Sequence, residues 1–158
     1  MISKIVSGGQ TGVDRAALDV ALDLGLACGG WAPRGRRAED GRIPARYPMR
    51  ETAAAAYPQR TRLNVRDADA TLILTRGEPA GGTAFTIACA RKLDRPCMPV
   101  DLARPDLEQA AAMVREWLGH EQVRVLNVAG PRESSAPGIA EEAAAFLRSV
   151  LGDEEPHR

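Results

Sequence analysis

Residues Ser7-Gly8-Gly9-Gln10-Thr11-Gly12-Val13-Asp14-Arg15 join a short β-branched run, Ile2 to Val6, to a helical pattern. The run has the size and side chains of a buried strand. From Val13 the apolar residues fall at Val13, Ala16, Ala17, Val20, Ala21 and Leu24, the spacing of a helix with one buried face. Thr11 is placed to cap that helix, with Asp14 completing an approximate capping box, and Gly25 to end it. Backbone N–H groups at a helix start, beside glycines that admit a ligand, make an anion site. The strand-to-helix junction therefore predicts a phosphate grip at Gly8, Gly9, Gln10, Thr11 and Gly12.

Working outward, the chain reads as alternating strands and helices. A strand is predicted over Leu26 to Trp31, followed by an irregular, arginine-rich insert over 32–57 with Pro33, Gly35, Gly41, Pro44 and Pro48. Then come a helix from Pro58 to Asp67, a strand from Ala70 to Thr75 and a helix from Thr83 to Leu93. A strand from Cys97 to Asp101, a helix from Pro105 to Leu118 and a strand from Gln122 to Val128 follow. A helix from Pro137 to Leu151, with Pro137 in its first turn, closes a single domain over 1–151, and 152–158 reads as a flexible tail. This alternation predicts an α/β fold, a Rossmann-like three-layer αβα sandwich with a mostly parallel five-stranded sheet.

Composition narrows the function classes. The 158 residues carry 21 basic and 21 acidic side chains, a balance that argues against nucleic acid as a partner. No apolar run approaches the ~20 residues of a membrane span, and no signal pattern opens the chain, so a cytoplasmic location is expected. Three cysteines, Cys28, Cys89 and Cys97, without C-x-x-C spacing support neither a disulfide framework nor a zinc site. Between Arg34 and Arg66 stand nine arginines against three acids, Glu39, Asp40 and Glu51. Arginine forks match phosphate and carboxylate oxygens, which makes this insert a candidate cover over an anion.

In parallel sheets ligands lie beyond the carboxyl ends of the strands. Three loops are placed there: the 8–12 loop, Gly81-Gly82-Thr83, and Asn127-Val128-Ala129-Gly130-Pro131-Arg132. They do not match the common cradles. The glycines at 8, 9 and 12 lack the G-x-G-x-x-G spacing, no acid ends the second strand, and Thr11-Gly12-Val13 lacks the Walker lysine.

The motifs nonetheless resemble one family across nearly the whole chain. The opening 7–15 stretch, Gly30-Trp31-Ala32-Pro33, Ala38 to Pro44, Arg60 to Asp67, Gly81-Gly82-Thr83 and Leu126 to Ser134 are similar, in order, to the molybdenum cofactor carrier proteins. That family shares a Rossmann-like fold with the lysine-decarboxylase-like (LOG) phosphoribohydrolases. The resemblance implies a bound molybdenum cofactor (molybdopterin) or another nucleotide, with no protein-ligated metal. It also implies a homo-oligomer, dimer or tetramer, and proteins that donate and accept the cofactor. The LOG motif P-G-G-x-G-T-x-x-E is incomplete here: Ala80 to Ile87 lacks its spaced glycine and its glutamate, so the hydrolase chemistry does not carry over.

The resulting expectation is an anion-binding carrier with no catalytic residue. Gly8, Gly9, Gln10, Thr11 and Gly12 form one cradle, Gly81, Gly82 and Thr83 a second, and Asn127 and Gly130 flank the third loop. Arg15, Arg34, Arg36 and Arg132 add charge, with Arg132 favoured by its place at the sheet edge. Trp31 is a candidate stacking residue, Glu39 and Asp40 read as loop ion-pairing groups, and Cys28 and Cys97 as buried thiols. His120 and His157 lack metal-ligand spacing. The alternatives are a nucleotide N-glycosidase using Glu39, Asp40 or Glu51 as its acid, and a nucleotide-sensing regulatory protein. A Gly9→Asp change is expected to abolish binding and spare the fold.

Overall fold

A computed structural model describes residues 1–152; of the expected tail, 153–158 lie outside the described residues. The strands and helices run β1 (Lys4–Val6), α1 (Val13–Asp23), β2 (Ala27–Gly29), β3 (Trp31–Ala32), β4 (Arg37–Ala38), β5 (Gly41–Arg42) and β6 (Arg50–Glu51). They continue with α2 (Tyr57–Asp67), β7 (Ala70–Thr75), α3 (Gly81–Lys92), β8 (Cys97–Asp101), α4 (Leu107–His120), β9 (Val125–Ala129) and α5 (Ile139–Leu151). Every residue of β7, Ala-Thr-Leu-Ile-Leu-Thr, is buried, as a strand covered on both faces requires.

The central sheet has five strands in the order β2-β1-β9-β7-β8, and each pairing is parallel. One face is covered by α1, α4 and α5, whose Val20, Val114 and Leu147 pack with Ile5, Leu72, Leu126 and Val128 of the strands. The opposite face carries α2 and α3, through Val65, Cys89 and Ala90. The three-layer arrangement is the one the alternating pattern predicts.

The strand order has a second reading. Started at β9 and continued through β1, β2, β7 and β8, the same sheet has the doubly wound order 3-2-1-4-5. The last strand in sequence thus occupies the central position that the first strand fills in an ordinary doubly wound chain. The order reverses between β9 and β7, which places the ligand crevice at their carboxyl ends.

The insert is folded rather than loose. Short β3 and β6 pair in parallel and β4 with β5 antiparallel, while Ala32, Ala38, Ile43 and Tyr47 pack on Leu18 of α1 as a second small core. Arg36 locks it, donating from Nε to the Ile43 carbonyl (3.0 Å) and from Nη2 to the carbonyls of Pro44 (2.6 Å) and Tyr47 (2.8 Å).

Three local expectations change. The strand predicted over 26–31 splits at Gly30, whose φ of 126° turns the chain out of the main sheet into β3. A Cβ there would lie 2.3 Å from the Ser7 carbonyl oxygen, so the turn needs glycine. At the start of α1 the cap is Gly12, with no side-chain capping bond, in place of the Thr11 box. Pro137 lies outside α5, before its Gly138 cap. Gly25 does end α1, at φ 71° with the Leu26 N–H donating to Ala21.

Candidate ligand-binding cleft

A cleft of about 770 Å³ opens at the carboxyl edge where β9 and β7 diverge. That is the volume of a site for a nucleotide-sized molecule. All three loops predicted from the sequence reach it. Gly8, Gln10 and Asp14 line it from the β1–α1 side, and Gly81, Gly82 and Thr83 from the start of α3. Asn127, Gly130 and Arg132 line it from the end of β9. A fourth wall comes from α2, through Tyr57, Arg60, Thr61 and Asn64.

The helix starts after β1, β9 and β7 differ in what occupies them. At α1, the Asp14 Oδ2 atom accepts from the Gln10 N–H (3.3 Å), and the Val13 N–H donates to the Pro131 carbonyl (3.3 Å). At α5, the Glu133 carboxylate accepts from the N–H groups of Gly138 (2.8 Å) and Ala140 (3.0 Å). Those two bonds hold its pKa below the usual glutamate value. Both helix starts therefore already hold a carboxylate, which repels an anion; at α5 it takes two of the helix-start N–H groups, while at α1 it takes the Gln10 N–H ahead of the cap. At α3 no acid stands in the first turn, and the Gly81 and Gly82 N–H groups have no acceptor among the described residues. Added Cβ atoms on either glycine would meet open space. Of these three helix starts, α3 alone has no acid in its first turn.

The residues of the first cradle are engaged within the protein to different degrees. Gly8 leaves room for Arg60: a Cβ there would fall 1.5 Å from the Arg60 Nη1 atom, which passes over it to reach Asp14, so a larger residue would displace that guanidinium. Gly9, Thr11 and Gly12 do not line the cleft. Gly9, at φ 73°, lies under Ile43, whose Cδ1 would be 2.8 Å from a new Cβ, so Gly9→Asp disrupts packing and is not a clean binding test. Gly12 packs on the Pro131 carbonyl, and Thr11 bonds Glu39 and accepts from the Glu133 N–H.

The charged insert is likewise engaged with itself and its neighbours. Arg15 makes a bidentate pair with Asp40 (2.5 and 2.7 Å) and donates from Nε to the Gly9 carbonyl, away from the cleft. Arg36 is the insert clamp, and exposed Arg34 lies outside the lining. Of the predicted arginines only Arg132 reaches the cleft; it has no ion-pair partner among the described residues and sits 5.6 Å from the Tyr57 ring centre. Trp31 is off the cleft too, with its indole N–H on Asp67 and Arg50 over its ring.

The α2 wall escaped the pattern reading, Tyr57 and Arg60 above all. Tyr57 is the last residue of the proline-broken insert, where no periodicity marks it. Arg60 is one of nine arginines, and only its partner Asp14, 46 positions earlier, singles it out. Asp14 is 5% exposed and bonded to Arg60 at 3.1 Å. Its pKa is raised because burial outweighs the attraction of Arg60.

Glu78 lines the cleft, while the acids of the insert are held elsewhere. Glu39 accepts from Thr11 and from the N–H and hydroxyl of Ser134, which keep its pKa low; Glu51 accepts from the Gly35 N–H. Asp40 is held by Arg15, as the ion-pair reading expected. Among the described residues no three His, Cys, Asp or Glu side chains converge as a metal ligand set would. Cys28 and Cys97 are half-buried rather than buried, and burial pushes both thiols up.

The comparisons agree with the topology. The model of the circularly permutated YpsA SLOG family matches residues 5–151. A crystal structure from Syntrophus aciditrophicus SB, described as "Putative molybdenum carrier protein", is 43% identical. It superposes with a TM-score of 0.93 and covers 95% of each chain. No curated protein matches. The permuted strand order read from the sheet and the family match over almost the whole chain coincide, and the chain belongs to the circularly permutated YpsA SLOG family.

Proposed function

We propose that this protein binds a phosphate-bearing, nucleotide-like small molecule in the β9/β7 cleft and acts as a carrier. Molybdopterin is the ligand we favour, since the description of the Syntrophus relative names molybdenum as its cargo. The observation that carries the reading is the start of α3: two N–H groups without acceptors, no acid in the first turn, and open space above Gly81 and Gly82. Arg132 adds an unpaired positive charge at the same cleft, and Asn127 and Gly130 shape the wall between them. Such a ligand brings its own sulfur donors for molybdenum, so the protein supplies shape, hydrogen bonds and charge. A soluble carrier with a homo-oligomeric assembly and with donor and acceptor proteins belongs to the same proposal.

The test is Gly82→Asp. Gly82 has an ordinary helical backbone and room for a side chain, and an acid in the first turn complements the helix dipole. The variant is expected to keep or slightly raise Tm and to lose affinity for phosphate-bearing ligands at least about tenfold, roughly 1.4 kcal/mol. Unchanged affinity overturns the placement. Mass spectrometry of small molecules released from gently purified protein, with elemental analysis for molybdenum, identifies the cargo. Release of free base from nucleoside monophosphates would replace the carrier with a hydrolase.

A further inference from the structure

The wall opposite α3 has a particular surplus of hydrogen-bonding groups. Gln10 is 5% exposed, and its Oε1 atom accepts from the N–H groups of Thr11 (3.1 Å) and Glu39 (2.8 Å), which fixes the orientation of the amide. Its Nε2 atom is left buried with no partner. Arg60 donates from Nη1 to Asp14, and its Nε atom is also buried with no partner. Asp14 spends Oδ2 on Arg60 and Gln10, while Oδ1 receives no protein donor and is not among the buried unpartnered atoms, so it opens to the cleft that Asp14 lines.

Buried polar groups without partners are uncommon and costly, at about 1–3 kcal/mol each. Two orphan donors beside one free acceptor call for a ligand edge with one N–H next to an oxygen that accepts twice. A ring lactam, N–H beside C=O, has that pattern, because a carbonyl oxygen carries two lone pairs. An adenine edge offers its amino group beside a ring nitrogen with a single lone pair, and it leaves one donor unserved.

We propose that Asp14, Gln10 and Arg60 select a heterocycle with a lactam edge, the feature shared by guanine, hypoxanthine and pterins. This rests on the phosphate subsite at α3. With Gln10 and Arg60 held as they are, Gln10 Nε2 and Arg60 Nε both donate to the ring oxygen, each gaining the bond that burial now denies it, and Asp14 Oδ1 accepts from the ring N–H. The loops after β1 and β7 are separated by β9 alone, two strand spacings or about 10 Å, which suits a ring at one end and a phosphate at the other.

Calorimetric titration of the whole protein with GMP, IMP, AMP, ribose 5-phosphate and a pterin monophosphate tests this. GMP, IMP or the pterin should bind at least tenfold more tightly than AMP and ribose 5-phosphate, and Asp14→Asn should remove most of that margin. The ligand that binds best among the first three identifies the source of the lactam. Equal affinities for GMP, AMP and the pterin, or a preference for AMP, overturn the lactam reading while leaving the phosphate subsite in place. Affinities that Gly82→Asp leaves untouched overturn the phosphate subsite instead, and no binding of any probe overturns both. If Asp14→Asn does not fold, the ligand series on the unaltered protein decides alone.

Discussion

Asp14 and Arg60 meet with side chains only 6% and 13% exposed, so each depends on the other for its charge to be tolerated. A carboxylate with its pKa raised by burial stabilises the fold most when protonated. That contribution is complete below the ordinary aspartate value and is lost as pH rises through the raised one. Replacing Arg60 with Met removes the opposing charge and lifts the Asp14 pKa further. The variant should lose about 3–5 kcal/mol at pH 7, the cost of stranding a buried charge. The deficit should shrink at a lower pH, as Asp14 takes up a proton. Urea unfolding at the two pH values reads it; a deficit that is constant or grows with acid contradicts the pairing. Gly8 belongs to the same account, since any larger residue there collides with the guanidinium on its way to Asp14.

At the scale of elements, the insert is a structural module that closes over Leu18 of α1 and holds its own arginines. Arg36 serves three insert carbonyls and Arg15 serves Asp40 and Gly9, so neither has a guanidinium to spare for a ligand. Arg36→Ala should therefore speed amide exchange and proteolysis within 33–51 yet change ligand affinity less than threefold. Arg132→Ala should do the reverse, weakening binding about tenfold with Tm almost unchanged. A tenfold binding loss in Arg36→Ala returns the insert to the ligand site. The sequence marks these elements well where periodicity or punctuation is local: β7, α1 and the Gly25 stop are readable from neighbours alone. It does not mark which helix start is open. Glycines after strands look alike until Asp14 and Glu133 are seen turned back onto their own loops, and Thr11 meets Glu133 across 122 positions. One local clue existed, an acid in the first turn of α1, which repels phosphate wherever its side chain points.

For the whole molecule, strand order is the property least visible in the sequence, because alternation fixes parallel pairing but not which strand stands in the middle. The central place of β9 arises from the packing of α5 and α1 on one face, which lets β1 dock beside the strand that ends the chain order. If the fold is a doubly wound domain opened at an unusual point, the original opening should be recoverable. Helix α5 runs back to the amino edge of the sheet, where β1 begins, so residues 152 and 1 can be joined by a Gly/Ser linker. New termini fit between α4 and β9, where Glu121 and Gln122 are exposed and Gln122 sits at φ 53°, a strained turn that cutting relieves. Such a permutant begins with β9 and presents its strands in the order 3-2-1-4-5. It should unfold cooperatively with a Tm within a few degrees of the parent, since loop closure changes little and every core contact is kept. It should also bind the same ligand with the same loss on Gly82→Asp, because the cleft lies at the opposite, carboxyl edge of the sheet. A permutant that folds but no longer binds would mean that the 121–124 connection, rather than the strand ends alone, shapes the site. Failure to fold would mean that the β1–α1 unit must be made before β9 can insert beside it.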